Sequence, residues 1–227
     1  DVVCGIQREY VEAGSEILCS NSFSSCSEAL EGTGATAEEV ITAAINIAKK
    51  ASCGKALVAV DIGPTGKLLE PYGDVTYEEV YARFREQATL GEKAGADLVL
   101  IETMGDLYEI KAAVLAAKEN TDLPVLVSMI FDEKGILLTG ADIKTAVVTL
   151  EGLGVDGIGM NCGLGPDQML ELLKEMQKYS STPIFIQPNA GLPVSVNGKT
   201  TYNVTAEEFA RKQLSILHNG ACALGGC

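Results

Sequence analysis

This 227-residue chain has one histidine, His218. Any metal centre in it must therefore be built mainly from thiolate, carboxylate or amide oxygen. Cations are also scarce, with 17 Lys and Arg against 31 Asp and Glu and a formal net charge of −14. Such a chain repels phosphate backbones, so nucleic acid is not expected as a partner. No apolar run reaches the roughly 18 residues of a membrane span, so no transmembrane helix is expected. The seven cysteines stand at 4, 19, 26, 53, 162, 222 and 227. Their number is odd and their spacing is not that of a short secreted disulfide framework, so the reading is of thiols in the cytoplasm. No signal peptide is visible. The opening "DVVCGIQREY" reads as mid-helix, which places the expected start of the gene product upstream of Asp1.

Apolar residues make up 47% of the chain and charged residues 21%, a balance that suits a soluble globular protein with one substantial core. Seven short runs are almost continuously apolar: residues 16–20, 56–61, 97–102, 124–130, 157–161, 183–187 and 221–225. Such runs suit strands covered on both faces. Between them lie segments with helical spacing. In 76–95, Val80, Phe84, Ala88 and Leu90-Gly91 fall near one stripe. In 167–179, Met169, Leu172, Leu173 and Met176 recur at i, i+3, i+4 and i+7. Residues 140–154 end on glycine, and 2–13 form a further helix. Alternating strands and helices predict an α/β fold with a parallel sheet.

The approaches to the strands sharpen this. Those through Gly14, Gly95, Gly154 and Gly220 alternate strictly with those through "SCGKALV", "TDLPVLV" and "SSTPIFI". Alternate strands meeting different neighbours is a property of a closed (β/α)8 TIM barrel, in which interior layers come from odd or even strands. Seven strands are countable where eight are needed. The expectation is one barrel domain over 1–227, truncated at both ends, with its first strand upstream of Asp1 and its last helix beyond Cys227.

In a barrel the working groups project from the C-terminal strand ends. Those positions hold Asn21 and Ser22, Asp61 with a Gly-Pro loop, Glu102, Asn161 with Cys162, Asn189, and Cys227. Cys162 and Cys227 would sit at the tips of the sixth and eighth barrel strands with one strand between them, which is compatible with one shared metal. Neither belongs to a CxxC pair, so spacing alone leaves open a small buried apolar role. That second role suits Cys4, Cys53 and Cys222. Glu102 is either a solvated strand end or an anchor for a cationic ligand group. "GPTG" at 63–66 lacks the Lys-Ser/Thr of a phosphate loop. "NGKTTYNVT" reads as a polar surface loop. It contains the glycosylation pattern Asn203-Val204-Thr205, which a cytoplasmic chain would not use.

Together, "GADLVLIETM", "GIGMNCGLGP", "QPNAGLP" and the terminal "GGC" resemble the homocysteine S-methyltransferase family, and "DIGPTGKLLEPYGD" and "SNSF" agree with it. The likeness runs in order along essentially the whole chain. It is greatest to the homocysteine-binding modules of cobalamin-dependent methionine synthases. The resemblance implies a (β/α)8 barrel whose catalytic zinc is held by three cysteines. Cys162 matches the one after the sixth strand and Cys227 the first of an adjacent pair after the eighth. The second of that pair would be residue 228, and the family's Asp-Gly motif would lie upstream of Asp1. Glu102 matches the acid that binds the substrate amine, and Asn189 matches a position able to reach the zinc. Asn21, Ser22 and Asn161 join Glu102 as expected homocysteine contacts, with Cys162 and Cys227 as the catalytic pair. The implied reaction is zinc-dependent methyl transfer to the homocysteine thiol, giving methionine, with a corrinoid on a partner domain as donor. Related families use betaine or S-methylmethionine. The competing readings are a shortened, catalytically incomplete barrel serving as a binding or assembly module, and an unrelated barrel enzyme acting on a phosphorylated substrate.

Overall fold

The computed structural model describes residues 2–191, 194–196, 198–202 and 204–227. Asn203 of the glycosylation pattern lies outside them. The elements in chain order are α1 (Val2–Glu12), β1 (Ile17–Cys19), α2 (Ala37–Ser52), β2 (Leu57–Ile62), α3 (Tyr77–Lys93), β3 (Leu98–Met104), α4 (Leu107–Asn120), β4 (Val125–Met129), α5 (Ile143–Gly152), β5 (Gly157–Asn161), α6 (Pro166–Met176), β6 (Ile184–Gln187), β7 (Val194–Val196), β8 (Lys199–Thr201), α7 (Ala206–His218) and β9 (Ala223–Leu224). Seven strands form one sheet in the order β1-β2-β3-β4-β5-β6-β9. This order, with a helix between successive strands, is that of the (β/α)8 barrel class, and seven of the eight strands lie within the chain. No described helix is long and apolar enough to cross a membrane.

The described residues fall into two compact units. One comprises Asp1–Glu102 and Tyr108–Leu126, the other Thr103–Leu107 and Val127–Cys227. In the first, β1 pairs in parallel with β2 (Cys19 opposite Ala59) and β2 with β3 (Asp61 opposite Leu100). Helices α2 and α3 start on capping boxes, Thr36 with Glu39 and Thr76 with Glu79, in which side chains satisfy otherwise orphaned N–H groups. Val80, Phe84, Ala88 and Gly91 of α3 are buried, as the stripe predicts. A Cβ on Gly91 would lie 2.6 Å from Val60 Cβ, so the helix rests directly on that residue of β2. Asp97 ties down the approach to the sheet by accepting from Val58 N–H at 2.7 Å and Lys49 Nζ at 2.6 Å.

In the second unit, β5 pairs with β6 and β6 with β9, all in parallel. Helix α6 carries Pro166 in its first turn, where no N–H is needed, and buries Met169, Leu172, Leu173 and Met176. Glu151 at the end of α5 accepts from Ser181 and Thr182 N–H, at 2.5 and 2.8 Å, and so holds the approach to β6. The segment read as a polar surface loop contains β8, which pairs antiparallel with β7 just before that segment to form a hairpin. Gly198 turns it at φ +75°, a conformation glycine adopts without steric cost. Two cysteine readings also need correction. Cys4 is buried as expected, though on α1. Cys53 and Cys222 are exposed, and Cys53 forms the left-handed cap of α2. A cap lies outside the apolar stripe of its helix, so burial does not follow from the local sequence.

Candidate functional site

Two groups of polar side chains gather at C-terminal strand ends. In the first unit, the contact of Gly91 with Val60 shows that Val60 faces α3. Side chains alternate along a strand, so Ala59 and Asp61 face away from that helix. The ladder registers carry Cys19, Leu100 and Glu102 onto the same face. Asp61 is 7% exposed, and its Oδ1 is buried without a hydrogen-bond partner. Its main chain is held firmly: Ser22 Oγ donates to Asp61 C=O at 2.9 Å and accepts from Asp61 N–H at 3.1 Å. Burial, and then the nearby Glu102, push the Asp61 carboxyl up to about 8. Burial also raises Glu102. The Cys19 thiol is raised by its dense surroundings and then by both acids, although it keeps access to solvent. A thiol among carboxyls stays protonated and is a poor nucleophile.

The second unit is organised by Asn161, which is 1% exposed. Its Oδ1 accepts from Thr103 N–H at 3.0 Å and from Ser128 Oγ at 2.7 Å. Its Nδ2 donates to Thr103 Oγ1 at 2.8 Å and to Cys227 Sγ at 3.8 Å. All four hydrogen-bonding positions of the amide are used. Thr103, a member of this network, and Cys162, which follows Asn161, adopt backbone conformations rare for side-chain-bearing residues, at φ +66° and φ +58°. Such strain persists only where the surroundings enforce it, and it concentrates at functional sites.

Main-chain bonds set the two cysteines on either side of the end of β6. Cys162 N–H donates to Gln187 C=O at 3.1 Å from the β5 side, and Cys227 N–H to Pro188 C=O at 3.0 Å from the β9 side. Asn189 N–H donates to Leu164 C=O at 3.0 Å, which closes the loop beyond Cys162. Cys162 is half-buried and Cys227 exposed. As a donor set for zinc, these two thiols fit two positions of a thiolate-rich site, and an amide N–H already points at one sulfur. No cluster of three His, Cys, Asp or Glu suited to a metal occurs among the described residues.

The residues singled out in the sequence thus divide. Asp61 and Glu102 come together, as do Asn161 and Cys227, while Cys162, Asn189 and Cys227 share the strand-end region around residues 187–189. Asn21 is exposed. Ser22 is buried, its hydroxyl committed to Ser20 and to the main chain of Asp61. Three participants were not legible in the sequence. Thr103 and Ser128 bind Asn161 from distant positions. Gln187 has a buried, unpartnered Oε1, and its side chain occupies the place a Cβ on Gly225 would take, 2.8 Å from its Cγ. A glycine inside a strand pattern was the only available signal of that close approach.

A barrel with paired acids and thiols at its C-terminal strand ends belongs to the class of barrel enzymes whose chemistry sits on that rim. The profile of the homocysteine S-methyltransferase family matches residues 1–227, and the chain belongs to that family. It is 32% identical over 242 aligned positions to a methionine synthase of Mycobacterium leprae and 31% identical over 245 to one of Mycobacterium tuberculosis. Both alignments cover 100% of this chain and 20% of the relative, so the chain spans about a fifth of those proteins. In fold it is similar to the metallated form of the homocysteine methyltransferase MmuM of Escherichia coli, with a TM-score of 0.81 at 20% identity, covering 99% of this chain and 79% of that one.

Proposed function

We propose that this chain receives homocysteine and supports zinc-dependent transfer of a methyl group to its thiol, giving methionine, with a methyl-corrinoid on another domain as donor. The observation that carries the reading is the placement of Cys162 and Cys227 on opposite sides of the end of β6, in a chain of this family. Cys162 and Cys227 would hold the zinc, with Asn189 as a further oxygen donor. Bound there, zinc lowers the pKa of a coordinated thiol so that its sulfur is nucleophilic at neutral pH.

The chain's own residues prepare this chemistry. Asn161 orients Cys227 by donating to its sulfur, and is itself fixed by Thr103 and Ser128. Cys162 leaves β5 in a left-handed turn that starts the loop to α6. Glu102 receives the ammonium group of the amino acid. Ser22 supports that end indirectly by clamping the main chain of Asp61, and exposed Asn21, which precedes it, would offer a polar contact to the substrate. Cys4, Cys19, Cys26, Cys53, Cys162 and Cys222 form no disulfide, which supports a cytoplasmic setting.

The test is zinc titration of the chain and of Cys162→Ala, with turnover measured from homocysteine and methylcobalamin. Loss of both zinc binding and turnover in the variant is expected. A variant that binds zinc as tightly as the parent refutes the role given to Cys162. Tight zinc binding by the parent with no turnover favours the binding-module reading.

A further inference from the structure

Cys227 follows Gly225 and Gly226. Glycine main chain has the widest conformational freedom, so a thiol carried on it must be ordered by other parts of the fold. Within the second unit, Gly225 N–H donates to Ile186 C=O at 3.0 Å and Cys227 N–H to Pro188 C=O at 3.0 Å, along and just past β6. From α7, Gln213 donates through Nε2 to Gly225 C=O. One helical turn earlier, the ring of Phe209 lies against Gly226, where a Cβ would be 3.6 Å from Phe209 Cζ. Gln213 is 8% exposed, and its Oε1 is buried without a partner. Ile216, three positions on, is buried as well. A leucine in place of Gln213 would fill that face of the helix and leave no oxygen unmet. Packing therefore does not account for an amide here. What the amide supplies is the donor to Gly225 C=O.

We propose that Gln213 is a positioning residue for the thiol of Cys227, fixing Gly225 from the α7 side so that the sulfur is held where Asn161 donates to it. This rests on the reading of Cys227 as a zinc ligand. The effect is preorganisation. Without the tether, the peptide planes around Gly225 and Gly226 reorient freely, and a metal ion bound at Cys227 must then order them. A side chain at position 225 could not stiffen the segment instead. The place of its Cβ is filled by Gln187, whose Cγ would be 2.8 Å away. The order must therefore come from a neighbouring element, and the Gln213 amide supplies it. Gln213 reaches the main chain and not the thiol, so its influence passes through Cys227 alone.

The experiment is zinc titration of the 227-residue chain in competition with a chromogenic chelator, for the parent, Gln213→Met, Cys227→Ser and the double variant. Methionine matches glutamine in length and removes both the donor and the unmet oxygen. Gln213→Met is expected to bind zinc about three- to tenfold more weakly than the parent, the scale of one hydrogen bond behind a metal ligand. In the Cys227→Ser background the same substitution should change zinc affinity by less than about twofold, because the thiol it serves is gone. With cobalt(II) as the probe, Gln213→Met should show a weaker thiolate-to-cobalt charge-transfer band than the parent, displaced toward that of Cys227→Ser. Thermal unfolding of the metal-free chain should move by less than about 3 °C, since the lost donor and the lost unmet acceptor offset one another. Leu214→Ala, at an exposed position of the same helix, should change none of these readings. Equal zinc affinity of parent and Gln213→Met overturns the inference alone, and so does an equal loss in both backgrounds. No zinc binding by the parent, or Cys227→Ser that binds zinc as tightly as the parent, overturns the functional reading and this inference with it. Gln213→Ala is carried in parallel. Loss of the folded state in both Gln213 variants overturns the inference, because the residue then holds the fold and not the thiol.

Discussion

Replacing Asn161 with alanine tests the central network of the second unit. The substitution removes an acceptor shared by Thr103 N–H and Ser128 Oγ and a donor to Thr103 Oγ1 and Cys227 Sγ. The Thr103 N–H cannot turn to another partner, because its backbone is held at φ +66°. A buried donor left unmet costs about 1–3 kcal/mol. The Ser128 hydroxyl can rotate, but it is fully buried and has few alternatives. With the void left by the amide, a loss of about 3–5 kcal/mol follows. Urea unfolding reads it as a lower midpoint with an unchanged slope. Asn161→Asp keeps the acceptor and loses the donor, so it should lie between parent and alanine variant near pH 5. A double-mutant cycle with Thr103→Val should return a coupling of about 0.5–1.5 kcal/mol for the Nδ2–Oγ1 bond. A loss below about 1 kcal/mol for Asn161→Ala would mean that the network does not hold the strand ends, and the reasoning would fail.

Three further outcomes are expected. Gly159→Ala places a Cβ 2.4 Å from Phe185 C=O and 2.8 Å from its ring, so it should cost about 1–3 kcal/mol or more in thermal or urea unfolding; a neutral result would show that β5 and β6 can move apart. Asp61 has a carboxyl raised from 3.8 to about 8 by folding. The folded chain therefore binds a proton that the unfolded chain loses, and stability falls as pH rises between those values, by at most about 6 kcal/mol for this group. Asp61→Asn should flatten that slope and stabilise the chain at pH 8.5 with little change at pH 4, as unfolding curves across pH would reveal. Cys227→Ser should weaken zinc binding at least tenfold in a competition titration with a chromogenic chelator, since a hydroxyl is a poorer ligand than a thiolate; an unchanged affinity would remove Cys227 from the ligand set.

Much of the architecture was legible because it is written in local periodicity. The stripes of α3 and α6 and the apolar runs of the seven sheet strands depend only on nearest neighbours along the chain. Cys162, Cys227, Asp61 and Glu102 could be placed at strand ends by that same periodicity. The hairpin of β7 and β8 was missed because two three-residue strands of polar and apolar residues carry too short a pattern. Cys53 and Cys222 were misplaced because cysteine's usual burial says nothing about a helix cap or the residue that precedes a two-residue strand. Thr103, Ser128 and Gln187 were invisible as site residues, since their roles come from partners 33 or more positions away or from a glycine just past the end of β9.

The amino-acid sequence by itself determined the alternation of strands and helices, the strand ends at which polar groups emerge, and membership of a family. These follow from the spacing of apolar side chains and from motifs of a few residues. Only the tertiary structure decided which polar groups answer one another. It left an oxygen of Asp61 unpartnered beside Glu102, while the amide of Asn161 met four partners. The reason is physical: hydrogen bonding and desolvation depend on distances of a few ångströms between strands, and strand register sets those distances, not separation along the chain.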